Sequence, residues 1–327
     1  MSAAPSHSTL LDTFTRPHSL IAASVLRIAL GAYALIIYVA HIAQRYFLWG
    51  PNGAYPFDAF VGVLRAHGGF SLYSLSQSKA YFEAIFWLGL LVSALYTIGL
   101  WPRLTGMLSY AFILSLYERN PFFDDGGFNL YVILNFYALF AETGAYFTIG
   151  SEITRSRLAK TTTIQSLLNV LHNFAMLFCC VQLCMVYFFS SFYKIMGSKW
   201  QNGTALYYIL RSYGFGSSAL APWIYRNASM VTAGTYGPLV MQLAFPWLMW
   251  NRRAKWYILA AVVVFHASIA VILGPGLYRF SFIVIAADIV FFTDEDLLGL
   301  ARVVRQVLSA VRRNEVEFRR EAPPGPG

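Results

Sequence analysis

Leu167–Phe192 reads LLNVLHNFAMLFCCVQLCMVYFFSSF, and Tyr193–Tyr208 continues it as YKIMGSKWQNGTALYY. The first part is lipid-like and long enough to cross a bilayer, which takes roughly 17 to 25 apolar residues in a helix. Two lysines, Lys194 and Lys199, arrive where that run ends. Lys194 is still in phase with the helix, Gly197 then offers a stop, and Lys199 follows the break facing solvent. Two readings stand side by side. Lys194 anchors the helix end at a headgroup, with Tyr193 and Trp200 as interfacial aromatics. Or it does chemistry, because burial disfavours the charged form of an amine and a neutral amine is a usable general base.

The rest of the chain matches that greasy stretch. Its 327 residues are 57% hydrophobic and 12% charged, where a soluble domain carries about a quarter charged residues. The fold class expected is all-α, a polytopic integral membrane bundle. Aromatic residues make up 17% of the chain, which suits rings lying at both interfaces. The net charge of +9 sits mostly in short loops and in the C-terminal stretch. That pattern fits an anionic leaflet rather than a polynucleotide, and no nucleic-acid motif is present. Cys179, Cys180 and Cys184 share one apolar run, so they read as small buried hydrophobes and not as a disulfide framework. No metal site is expected. The polar start, MSAAPSHSTLLDTFTRPHS, lacks the marks of a cleaved signal peptide.

About eight segments are apolar and long enough to span. They run from Leu20 to Leu48, Ala80 to Trp101, Leu104 to Tyr117, Phe128 to Ile149 and Leu167 to Phe192, then lie within Val231 to Trp250, Trp256 to Leu273 and Tyr278 to Phe292. Placing both termini in the cytoplasm puts Arg103, the Arg155–Lys160 cluster, Arg252, Arg253, Lys255 and the C-terminal arginines inside, and Asp124 and Asp125 outside. The two long outer loops, Gly50 to Lys79 and Lys194 to Met230, are expected to fold against the bundle as short or re-entrant helices and to cover a site. Residues 294–327 read as a basic tail, an amphipathic helix on the inner surface that ends in a disordered APPGPG. The division is therefore a polar N-terminus over 1–19, a transmembrane domain over 20–293 and the tail.

Ionisable groups inside spans are costly and usually face the bundle interior. The candidates are Arg27, His41, Glu83, Glu118, Glu142, His172, Lys194, His266 and Asp288. Arg27 is placed to snorkel to the interface, while Glu83, Glu142 and His172 are near wet helix ends. His41, His266 and Asp288 are harder to assign to an interface. A haem between His41, His172 and His266 would need matched depths, and these histidines are not clearly matched.

The run FYKIMGSKWQNGTALYY resembles the Lys-x5-Trp-x2-Gly segment of the HTTM (horizontally transferred transmembrane) family, which includes the vitamin K-dependent gamma-carboxylase. LRIALGAYALIIY, YFLWGPNGAYPFD, SLYERNPFFDDGGFNL and FHASIAVILGPGLYRFSFIVIAADIVFF resemble it in the same order. The resemblance implies a helical membrane bundle acting on a quinone or another lipophilic molecule, with a reduced quinone as the candidate cofactor. It makes Lys194 the general base, with Lys199 the alternative, and gives His266 the family histidine. Asn129 matches the family's asparagine, and His41, Asn129, Trp200, Asn202 and Gly203 are the expected substrate-binding residues. The family's Gly-Gly-Asp-Asn stretch reads GGFN here, and the carboxylase's propeptide-binding portion has no counterpart in this chain. The sequence is also similar to the membrane protein that matures a sporulation-delaying peptide toxin. A non-enzymatic factor for maturation or export of a peptide is thus the rival expectation.

Overall fold

The computed structural model describes residues 14–321 except 124, 161, 213, 216, 217, 275 and 276, with side chains as far as 309. Asp124, most of the polar N-terminus, the APPGPG end and the last arginine side chains lie outside the described residues. Everything regular among the described residues is helical. The principal helices are α1 Leu20–Ala40, α2 Lys79–Ile98, α3 Pro102–Arg119, α4 Gly126–Ala138, α5 Thr163–Ile195, α6 Ala228–Leu248, α7 Ala254–Ser268, α8 Tyr278–Ala287 and α9 Asp294–Glu321. A wider turn, Ile269–Leu273, extends α7, and a 3-10 turn, Asp288–Phe291, extends α8.

Four of these are long and apolar enough to cross a membrane: α1, α2, α5 and α7 with its extension. The other expected spans differ for local reasons. α3 carries Arg103, Glu118 and Arg119, and α6 is diluted by Thr, Gly, Gln and two prolines. The expected helix from Phe128 to Ile149 stops at Ala138 after 13 residues. At 1.5 Å per residue, that covers about 20 Å of a roughly 30 Å hydrocarbon core. Beyond it the chain turns, with Phe147 in a left-handed conformation at φ 55°.

Helix ends are fixed by named groups. Asp125, Thr162 and Asn227 accept backbone N–H bonds at the starts of α4, α5 and α6, satisfying donors that a helix leaves orphaned. Gly99, at φ 78°, ends α2 in the conformation glycine favours there. Ser19 gives α1 no side-chain cap. Instead the N–H groups of Leu20 and Ile21 donate to the Asp294 carboxylate at 3.2 and 2.8 Å.

α1 is the core helix and packs against α2 and α8, with Leu26, Leu30, Tyr33, Ala34 and Ile37 fully buried. Arg27 does not snorkel. It is fully buried and donates to the carbonyls of Thr143, Tyr96, Thr97 and Phe147 at 3.2, 2.8, 2.9 and 3.0 Å. Two of these are last-turn carbonyls of α2, so one guanidinium caps a helix end and pins the turn after α4. Glu142 and His172 are buried too, not wet. Glu142 pairs with Arg103 and Arg157. His172 accepts from the Glu142 N–H at Nδ1 and donates from Nε2 to the His18 carbonyl, at 3.0 and 2.7 Å.

At the opposite ends of these helices, the loop 50–79 folds onto the bundle as a short helix, Phe57–Ala66, and a 3-10 turn, Leu72–Ser74. Trp49, Phe60 and Tyr73 are buried. Arg119 donates to the carbonyls of Tyr55 and Gly50, and Asn120 to that of Leu48. Loop backbone that lipid could not satisfy is thus satisfied by protein.

Candidate functional site

The second long loop builds the wall of a cavity. After α5 the chain forms short helices at Ser198–Gln201, Ala205–Arg211 and Ala221–Tyr225. Trp200, Leu206, Ile209 and Ile224 from this stretch face Pro238, Phe265, Ile272 and Phe280 from α6 to α8 across about 410 Å³. The lining is mostly apolar. Lys194, Ser190, Gln242 and His266 supply its main polar groups.

Lys194 Nζ donates to the Ser190 carbonyl at 3.3 Å, to the Ser190 hydroxyl, and to Gln242 Oε1 at 2.8 Å. It lies 5.6 Å from the centre of the Trp200 ring. All its hydrogen-bond acceptors are uncharged. Among the described residues no carboxylate stands within ion-pair distance of it. Lys199 is exposed, and its amine rests 4.3 Å from the Tyr208 ring. Geometry therefore separates the two lysines that spacing left open: Lys194 is the one on the cavity.

His266 is buried on α7, with Nε2 3.4 Å from the Tyr187 hydroxyl of α5. Its Nδ1 is buried without a hydrogen-bond partner. Tyr187 itself packs on Phe245 at 4.0 Å between ring centres. So α5 brings the lysine, α6 the glutamine and α7 the histidine to one apolar chamber.

The remaining expected binding residues lie elsewhere. His41 ends α1, its Nδ1 2.8 Å from the Ile37 carbonyl, and packs edge-on against Trp49 and Phe123. Asn129 is exposed on the first turn of α4. Asn202 is a turn residue whose side chain accepts from Thr204. Gly203 holds φ 75°, and a Cβ there would come within 3.0 Å of the Tyr236 ring. Asn202 and Gly203 thus shape the turn that presents Trp200, while Trp200 itself lines the cavity. The three histidines considered for haem occupy three separate places, and both ring nitrogens of His172 are engaged. Gln242, Ser190 and Tyr187 were not singled out from sequence. A glutamine inside LVMQLAF was the available signal, since an isolated polar side chain in a span needs a partner.

No known family's profile matches the chain, and no solved structure matches it. Among curated proteins it is similar to the uncharacterized protein YitO of Bacillus subtilis (strain 168). The two are 25% identical over 249 residues, which cover 73% of this chain and 76% of that protein.

Proposed function

We propose that the chain is a multi-pass cell-membrane protein of the HTTM kind that acts on a quinone or another lipophilic molecule, with Lys194 as general base. One observation carries the reading: an amine held by uncharged acceptors in a mostly apolar chamber, with His266 on the same wall. An amine so placed meets little competition from a fixed anion and works against a ligand proton in low dielectric. The chamber is about the size of one small hydrophobic ligand. Gln242 and Ser190 orient the amine, and Trp200 closes the chamber beside it.

Eight crossings with both termini in the cytoplasm are part of the same proposal. Asp294 at the start of α1 supports an even number of crossings. So do the Arg103–Glu142 and Lys255–Asp296 pairs, which join groups from the end expected to be cytoplasmic. Tilt and the loop helices would make up for the short α4 and α8.

The test is a ligand inventory of detergent-purified protein by absorption and mass, for wild type and Lys194→Ala. The expected result is a stoichiometric quinone or isoprenoid, depleted in the variant. Bulk phospholipid alone, unchanged in the variant, would refute the reading and make Lys194 an interfacial anchor.

A further inference from the structure

At the other end of α5 from Lys194, about 40 Å away along the helix, a second cleft opens. It measures about 530 Å³ and lies between the segment before α1, the short helix Ser151–Leu158 and the first turns of α5. Its charged lining is all positive: Arg16, Arg155 and Lys160, joined by the polar Ser166. Other groups hold these walls in place. Asn169 donates to the Thr15 carbonyl at 2.8 Å, and Asn173 to the Phe14 and Arg16 carbonyls at 2.9 and 2.7 Å. The backbone of Arg16 is thus fixed to α5, while the residue stays exposed. Arg155 is half-buried; its Nη1 donates to the Ala145 carbonyl at 2.8 Å, and its guanidinium lies 5.0 Å from the centre of the Tyr146 ring. Among the described residues no carboxylate lines the cleft or pairs with any of its three cations. The acids at this end are placed otherwise. Glu142 is shared by Arg103 and Arg157, Asp294 accepts the Leu20 and Ile21 amides, and Glu152 does not line the cleft. The same elements expose large apolar side chains: Ile153, Ile164 and Leu167 are 77, 75 and 68% exposed. Ile164 and Leu167 share a face of α5, a helix long and apolar enough to cross a membrane.

We propose that this cleft binds the phosphate group of an acidic phospholipid, whose acyl chains lie along Ile164 and Leu167. Three like charges gathered on one cleft repel each other, and an anion between them relieves that repulsion. An arginine fork takes two phosphate oxygens at once, and a lysine adds a mobile point charge. The start of α5 adds its own preference for negative charge. The exposed apolar residues select a lipid over a soluble phosphate, because a soluble anion gains nothing from them. Acidic headgroups collect in basic pockets between helices at the cytoplasmic side, where the loop charges place this end of α5. A bound phosphate would bridge three parts of the chain that are far apart in sequence. The inference does not depend on Lys194; it needs only that α5 crosses the bilayer.

The experiment is thermal unfolding of the delipidated full chain in neutral detergent. It is titrated with short-chain phosphatidylglycerol, with phosphatidylcholine of the same chain length, or with inorganic phosphate. Wild type is expected to respond to phosphatidylglycerol at lower concentration than to either of the others. Each basic side chain at an acidic headgroup is worth about fivefold in affinity. The double variant Arg16→Gln/Lys160→Gln should therefore raise the half-effective phosphatidylglycerol concentration about 25-fold. Both residues are exposed, so without lipid its Tm is expected to match wild type. Arg302→Gln/Arg305→Gln removes the same charge from exposed positions on α9 and should leave the titration unchanged. Equal weakening in the two double variants would overturn the proposal, because diffuse charge would then account for the preference. An equal response to phosphatidylglycerol and phosphatidylcholine would overturn it too. So would inorganic phosphate as potent as the lipid, which would make the ligand a soluble anion.

Discussion

Replacing Arg27 with methionine tests whether a charge in the first helix is a structural clamp. Methionine keeps most of the volume and removes every donor. Four carbonyls lose a charged partner: Thr143, Tyr96, Thr97 and Phe147. A buried acceptor left unsatisfied costs about 1–3 kcal/mol, so four set a bound of about 4–12 kcal/mol. Removing the guanidinium also removes its own burial cost, and the Tyr96 carbonyl keeps its bond from the Gly99 N–H. The net loss expected is about 3–5 kcal/mol, the range for breaking a buried charged contact. That corresponds to a fall in Tm of about 4–7 °C for a chain of this size. The assay is thermal unfolding in detergent, followed by size-exclusion chromatography with fluorescence detection. Arg27→Lys is expected to fall in between, since a point charge cannot reach carbonyls that a planar fork spans. A snorkelling arginine would behave as a surface residue, within about 0.5 kcal/mol of wild type. A Tm for Arg27→Met within about 2 °C of wild type would therefore refute the clamp.

Gly99→Ala is expected to destabilise the protein by about 1–2 kcal/mol or more in the same assay: its φ is 78°, and the new Cβ would come within 2.5 Å of Arg27 Nη1. Asp125→Ala removes the cap that accepts from the Gly127 and Phe128 N–H groups and should cost about 1 kcal/mol; Asp125→Asn should retain most of it. Asp296 sets an acid limb. Burial pushes its carboxyl up, but bonds from Lys255 and Thr293 outweigh that and hold it below the usual value. A carboxyl lowered on folding stabilises fully above the unfolded value of about 4 and loses that contribution as pH falls through the folded one. Melting curves from neutral pH down to about 3 should thus converge for wild type and Asp296→Asn; a constant gap across that range would contradict the pairing.

Helical class and the position of the long helices were legible because a run such as Leu167–Phe192 leaves few alternatives. The short α4 was not, since YVILNFYALF reads as apolar past Ala138. What stops it is a polar turn held by Arg27, a partner more than a hundred residues away. Periodicity carries no such long-range information. Lys194 was legible as a helix-end lysine ahead of Gly197, but its separation from Lys199 needed the cavity. Gln242 and Tyr187 were hidden for the opposite reason: each is unremarkable in its own helix and gains meaning only opposite Lys194 or His266. Arg27, Glu142 and His172 looked interfacial by depth, whereas dense local hydrogen bonding lets them be buried.

The first helix has its opening amides bound by Asp294, a residue synthesised more than 270 positions later. The segment before it depends on α5 in the same way, through Asn169, His172 and Asn173. A ribosome emitting this chain therefore releases its first long apolar helix long before that helix's polar end can be satisfied. Until Asp294 arrives, those groups must be held by water or by another partner. Assembly should be late and cooperative, and a chain cut just before Asp294 should leave the opening helix, not the last one, as the first to be recognised and degraded.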